Sequence, residues 1–140
     1  MRTLGIDYGD NRTGFAITDE LNITVQGLGT IKSNGNDKII LNKIDEYLEK
    51  YKIDTIVLGM PFSLNGTKTK RTEKTEAFMH KLKCKYNKLK IDYMDERLTT
   101  VAAHKTMNFL EVDKHKKKDV VDTISAIYIL ETYIKKLKNS

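Results

Sequence analysis

Residues 4–18, LGIDYGDNRTGFAIT, place an aspartate where a buried strand should be ending. Apolar and β-branched side chains lie on both sides of a Gly-Asp-Asn turn, so RTLGIDYG and RTGFAITDE read as two strands of a hairpin. NITVQGLGTIK continues as a third strand, and the chain opens as an antiparallel meander. The turn accounts for the glycines. It does not account for Asp7, a carboxylate among Leu4, Ile6 and Tyr8.

Downstream, the period changes. In NDKIILNKIDEYLEKY the apolar residues Ile40, Ile44, Tyr47, Leu48 and Tyr51 recur at helical spacing behind a cap at Asn36 or Asp37. DTIVLGMP follows, with Thr55 to Leu58 suited to burial on both faces, and ends at Gly59 and the chain's one proline, Pro61. A loop, FSLNGTKTK, leads to a helix predicted from about Arg71 to Tyr86, a short strand KIDYM, a helix from about Thr100 and a last helix from about Lys118 to Lys138. A meander followed by alternating helix and strand predicts an α/β domain with a mixed five-stranded sheet whose later strands run parallel to the first. Asp7, Gly59 to Pro61, and Asp95-Glu96 then stand at parallel strand ends along one edge, where such sheets bind ligands.

The 140 residues suit one domain, expected to span 1–140. Twenty-five Lys and Arg against 19 Asp and Glu give a formal charge of +6, which favours polyanionic partners. With Cys84 as the one cysteine there is neither an internal disulfide nor a cysteine cluster for zinc; it is expected to pack as a small hydrophobe in a helix. The N-terminal residues lack an apolar signal core and no stretch approaches the ~20 apolar residues of a membrane span, so a cytoplasmic protein is expected.

DYMDERLTT sets Asp95, Glu96 and Arg97 between a strand and a helix. In the last helix Val121, Ile124, Ile127, Tyr128, Ile134 and Leu137 form a broad apolar face, with Asp119 and Asp122 three apart near its start. Ser125 and Ala126 imply close docking there, which would half-bury Asp122. If Asp7, Glu96 and Asp122 converge, their repulsion calls for a proton or a cation. Oxygen ligands favour Mg²⁺ or Mn²⁺, and two such ions about 4 Å apart serve phosphodiester cleavage. His80, His104 and His115 have no ligand spacing. Lys70, Lys74, Lys81, Lys85 and Lys88 share one side of the second helix, and KHKKK precedes Asp122; both runs could guide a phosphate backbone without reading sequence.

Four ordered motifs, GIDYGDNRTGFA (5–16), VLGMPFSLNGT (57–67), DERLTT (95–100) and VDTISAIYIL (121–130), resemble those of the YqgF family over essentially the full length. These Holliday-junction-resolvase-like proteins are regarded as nucleases of precursor 16S ribosomal RNA. The resemblance implies an RNase H-like fold and metal-dependent phosphodiester hydrolysis in 16S 5′-end processing during ribosome biogenesis, with Asp7, Glu96 and Asp122 as both the catalytic and the metal-binding set. Arg12 and Arg97 are implied as phosphate holders. Lys68, Lys70 and Arg71, placed on the loop, and Lys74 and Lys81 complete the expected nucleic-acid-binding set. Partners would be precursor rRNA, the small-subunit precursor or branched DNA, for a monomer or weak dimer.

Three other readings compete. A junction resolvase shares the fold and the metal chemistry. A non-catalytic assembly or regulatory factor could keep the fold alone. Actin-like and sugar kinases also use an Asp-x-Gly hairpin, but they need two such domains around a cleft.

Overall fold

A computed structural model describes residues 1–96 and 114–138 of the chain. Five strands, β1 (Arg2–Asp7), β2 (Arg12–Thr18), β3 (Val25–Lys32), β4 (Ile53–Met60) and β5 (Lys90–Asp95), form one sheet in the order β3-β2-β1-β4-β5. The first three are the antiparallel meander, while β4 and β5 run parallel to β1. Among the described residues three helices accompany them: α1 (Asp37–Lys50), α2 (Lys70–Lys85) and α3 (Lys114–Lys138). The mixed α/β sheet expected from the sequence is thus observed, and the caps follow local chemistry. Asn36 accepts the Lys38 amide at the start of α1, and Thr69 and Thr72 form a reciprocal capping box on α2.

Strand alternation divides the sheet into two unlike faces. On one, Leu4, Ile6, Phe15, Ile17, Ile56 and Leu58 pack with Ile40 and Ile44 of α1 and Phe78 and Leu82 of α2, all but fully buried. On the other, a smaller cluster joins Ala16 and Val57 to Ala126, Ile129, Leu130 and Tyr133 of α3. Asp7 therefore does not point among Leu4, Ile6 and Tyr8. Those three face α1 and α2, and Asp7 faces α3.

The seat of α3 is made of small residues. A Cβ at Gly14 would collide with the carbonyl oxygen of Asp122, so the helix backbone rests directly on β2 there. Thr30 and Thr123 bind hydroxyl to hydroxyl at 2.7 Å and tie the same turn to β3. This close approach turns α3 away from the expected apolar face. Ser125, Ala126, Ile129, Leu130, Tyr133 and Ile134 are buried, whereas Val121, Ile124, Ile127 and Tyr128 are half-buried and Leu137 is half exposed. Small side chains win the inner position because only they let the helix descend onto glycine.

Three other expectations change. Lys114 to Lys118 are helical rather than a lead-in, as suits lysine's good helix propensity. Lys70 and Arg71 are the first residues of α2 rather than loop residues, because Thr69 caps the helix. Cys84 is exposed on α2 beside His80, since the helix buries Phe78 and Leu82 instead. The helix expected from about Thr100, together with Arg97 and His104, lies outside the described residues. No described helix is long and apolar enough to cross a membrane.

The contact at Gly14 yields a stability prediction. Gly14→Ala forces a side chain against backbone, which cannot rotate away, and should cost about 1–3 kcal/mol or more in urea unfolding. A change under about 0.5 kcal/mol would show that α3 does not bear on β2 at this point.

Candidate functional site

The parallel register brings the predicted edge together. Ile6 pairs with Leu58, so Asp7 falls beside Gly59; Gly59 pairs with Met94 and Met60 with Asp95, and Glu96 follows directly. On the other side Asp7 pairs with Gly14, whose open face admits the Asp122 backbone. Three carboxylates from β1, the end of β5 and α3 thus surround one strand end.

Glu96 must cross β4 to reach Asp7, and Gly59 makes that possible. A Cβ there would lie 2.6 Å from Glu96 Oε1 and 2.8 Å from its Cγ. Glu96 is only 8% exposed, folded over the glycine, and its carboxyl shares a hydrogen bond with that of Asp7. Burial first, then the charge and hydrogen bond of Glu96, then the charge of Asp122, hold the Asp7 carboxyl well above the usual carboxylate range; Arg71 pulls weakly the other way. Asp7 therefore favours its protonated form beside the Glu96 carboxyl.

Asp7 is held from behind as well. Its neighbour Tyr8 stacks on Phe78 with ring centroids 4.4 Å apart and donates to Asp37 at 2.7 Å. Burial and Asp37 together keep that phenol protonated far above its ordinary range. Beside the acidic edge, Gly9, Asp10, Asn11, Arg12, Arg71 and Asp122 line an open cleft of about 440 Å³. Arg12 and Arg71 thus stand beside Asp122 in this cleft.

The lysines divide. Lys74 pairs with Asp10 at 3.2 Å, Lys81 with Asp37 at 2.8 Å, Lys85 with Asp45 at 2.9 Å and Lys68 with Glu76 at 3.0 Å. Much of the stripe on α2 is therefore matched by acidic groups of the β1–β2 turn and α1, and its net field is smaller than the sequence suggested. Lys70 is exposed at the start of α2. Arg97 lies outside the described residues. Sequence reasoning missed Gly14 and missed Gly59's part in admitting Glu96; the signal available was their place opposite and beside Asp7 in the strand register.

The sheet order and the acidic edge define an RNase H-like fold of the kind seen in Holliday junction resolvases. The chain superposes on the fowlpox virus Holliday junction resolvase with a TM-score of 0.56, at 15% identity, over 97% of this chain and 99% of that one. For Thermus thermophilus RuvC in complex with a Holliday junction substrate the TM-score is 0.52, at 10% identity, over 94% and 96%. Residues 1–136 match the RuvX family, described as Holliday junction resolvase, and the chain belongs to that family. A curated relative from Ruminiclostridium cellulolyticum, named "Putative pre-16S rRNA nuclease", is 47% identical over 98% of this chain and 96% of its own length. One of the same name from Acetivibrio thermocellus is 45% identical over 96% and 95%.

A pH dependence follows from the raised pKa of Asp7. Because the folded-state value of Asp7 is raised, the folded chain keeps a proton that the unfolded chain releases, and stability falls as pH rises through that window. Asp7→Asn removes the liability. In EDTA the variant should be more stable than wild type at pH 8, with the advantage shrinking toward pH 4, where Asp7 is protonated in the folded chain and about half protonated in the unfolded one. Thermal melts at the two pH values check this, and an advantage that grows toward acid would contradict it.

Proposed function

We propose that the chain is a metal-dependent nuclease that cleaves phosphodiester bonds at the edge formed by Asp7, Glu96 and Asp122, acting in 5′-end processing of precursor 16S rRNA. Family and fold make it a hydrolase acting on nucleic acids. The observation that carries the metal-dependent reading is the hydrogen-bonded Asp7–Glu96 carboxyl pair beside Asp122, since three buried or half-buried carboxyl groups brought to one strand end favour a cation.

The donor set fits Mg²⁺ or Mn²⁺, being made of carboxylate oxygens alone. Asp7, Glu96 and Asp122 would hold the ion or ion pair. When bound, it supplies positive charge to the developing phosphoryl charge and lowers the pKa of water. The protein's own groups do the rest. Arg71, at the N-terminus of α2, and Arg12 orient the phosphate across the cleft, and the helix end adds favourable amide dipoles. Gly59 and Gly9 keep bulk off the edge, while Tyr8, fixed on the opposite face, holds the Asp7 backbone in place. Lys68, Lys70, Lys74 and Lys81, with Arg97, would supply flanking phosphate contacts.

Cleavage of a precursor 16S rRNA 5′ end and of a four-way DNA junction, in Mg²⁺, Mn²⁺ and EDTA, tests the reading. Outer-shell groups of metal sites cost about 10–100-fold when removed, so Asp7→Asn, Glu96→Gln and Asp122→Asn should each lose at least about a hundredfold in rate. EDTA should abolish cleavage by wild type. Junction cleavage without RNA cleavage would transfer the same chemistry to branched DNA, the activity named for the resolvases of this fold. Full activity in the three variants would exclude the site.

A further inference from the structure

A second cleft opens one face away from the acidic edge. It has a volume of about 410 Å³, within the range of small-ligand sites, and lies between β5 at the open side of the sheet and α2. Phe62, Tyr93, Met79 and His80 supply its apolar and aromatic lining, and Lys68 and Lys83 supply ammonium groups. Tyr93 is 46% exposed, an aromatic left uncovered on an edge strand.

The wall of the cleft is built rather than loose. Phe62 and Lys68 form a β-bridge at the base of the loop between β4 and α2, and the Asn65 side chain gathers the Ser63 hydroxyl, the Thr67 amide and the Thr67 hydroxyl. Thr72 of α2 donates its hydroxyl to the Pro61 carbonyl, and Lys68 pairs with Glu76. The pocket is thus preformed, which lowers the ordering cost of binding. Phe62 stands three residues beyond Gly59, at most about 11 Å of chain from the glycine that Glu96 covers.

We propose that this cleft is a nucleobase site, taking an unpaired base of the strand whose phosphate lies at Asp7, Glu96 and Asp122. The inference rests on the nuclease reading and adds to it a preference for single-stranded substrate. Aromatic faces beside ammonium groups are the chemistry by which proteins hold unpaired bases, and a base inside a duplex could not enter. The short chain distance from Gly59 to Phe62, around the end of the sheet, selects the occupant: the base belongs to a nucleotide neighbouring the cut. Stacking tolerates any base, so the site would favour strandedness over sequence.

Single-stranded RNA carrying 2-aminopurine, titrated with wild-type protein in EDTA, should show quenching as the base stacks, and the same sequence as a duplex should bind with little change in signal. Stacking is worth about 1–3 kcal/mol per base, so Tyr93→Ala should weaken single-strand binding about 5- to 150-fold and lose the quench, while Tyr93→Phe keeps both. Duplex affinity should not change, which separates a lost base site from a damaged fold. Unaltered affinity and quenching in Tyr93→Ala would overturn the base site while leaving the nuclease reading intact. Failure of wild type to bind or cleave any nucleic acid would overturn both.

Discussion

The carboxyl groups of Asp7 and Glu96 meet at hydrogen-bond range inside this protein, and much of the architecture around them follows from that constraint. Desolvation and the charges of Glu96 and Asp122 add, so the Asp7 carboxyl is pushed toward its neutral form and the site favours added positive charge. A fold selected only for stability would replace such a group with an apolar pair. Here three separate elements deliver the carboxylates to one strand end, and two glycines clear the path. A strained electrostatic arrangement supported by that much backbone is characteristic of a functional site, where local stability is lower than the scaffold could provide.

The two faces of the sheet divide the labour. The α1/α2 face carries the large side chains, Phe15 and Phe78 among them, and supplies most of the hydrophobic stabilisation. The α3 face is thinner where the helix meets Gly14, with Ser125 and Ala126 turned inward beside the acidic edge. Asp7 sits at the end of the strand central to both layers, with its backbone gripped through Ile6 and Tyr8 from the thick side and its carboxyl offered to the thin one. Alternation along one strand thus separates rigidity from chemistry with no extra element.

Much of this was legible in the sequence. Period-two and period-3.6 patterns located all five strands and the three described helices, and Asp7, Glu96 and Asp122 were selected from strand ends and an acidic helix start. The orientation of Asp7 was not legible from its neighbours' apolarity, because Leu4 and Ile6 belong to the opposite face. The face of α3 was misassigned for a related reason: hydrophobicity ranks Val121 and Ile124 above Ser125 and Ala126, whereas docking on Gly14 is decided by size. The lysine stripe looked like a cationic track because a projection shows one helix alone. Asp10, Asp37 and Asp45, distant in sequence, reach it only in the folded chain.

Those ion pairs bear on how a polyanion would meet this surface. Exposed pairs such as Lys74–Asp10 and Lys85–Asp45 contribute little to stability, about 0–1 kcal/mol each, so a phosphate could exchange for the carboxylate at modest cost. The exchange would free aspartates rather than bulk counterions, and the salt dependence of binding would be shallower than the lysine count implies. Affinity would then depend less on the stripe than on the few cations at the cleft, Arg71 above all, whose charge is felt at Asp7 itself. Discrimination between substrates would fall to the shape of the edge, where a narrow acidic strand end lies between a glycine-floored approach and the braced loop after β4.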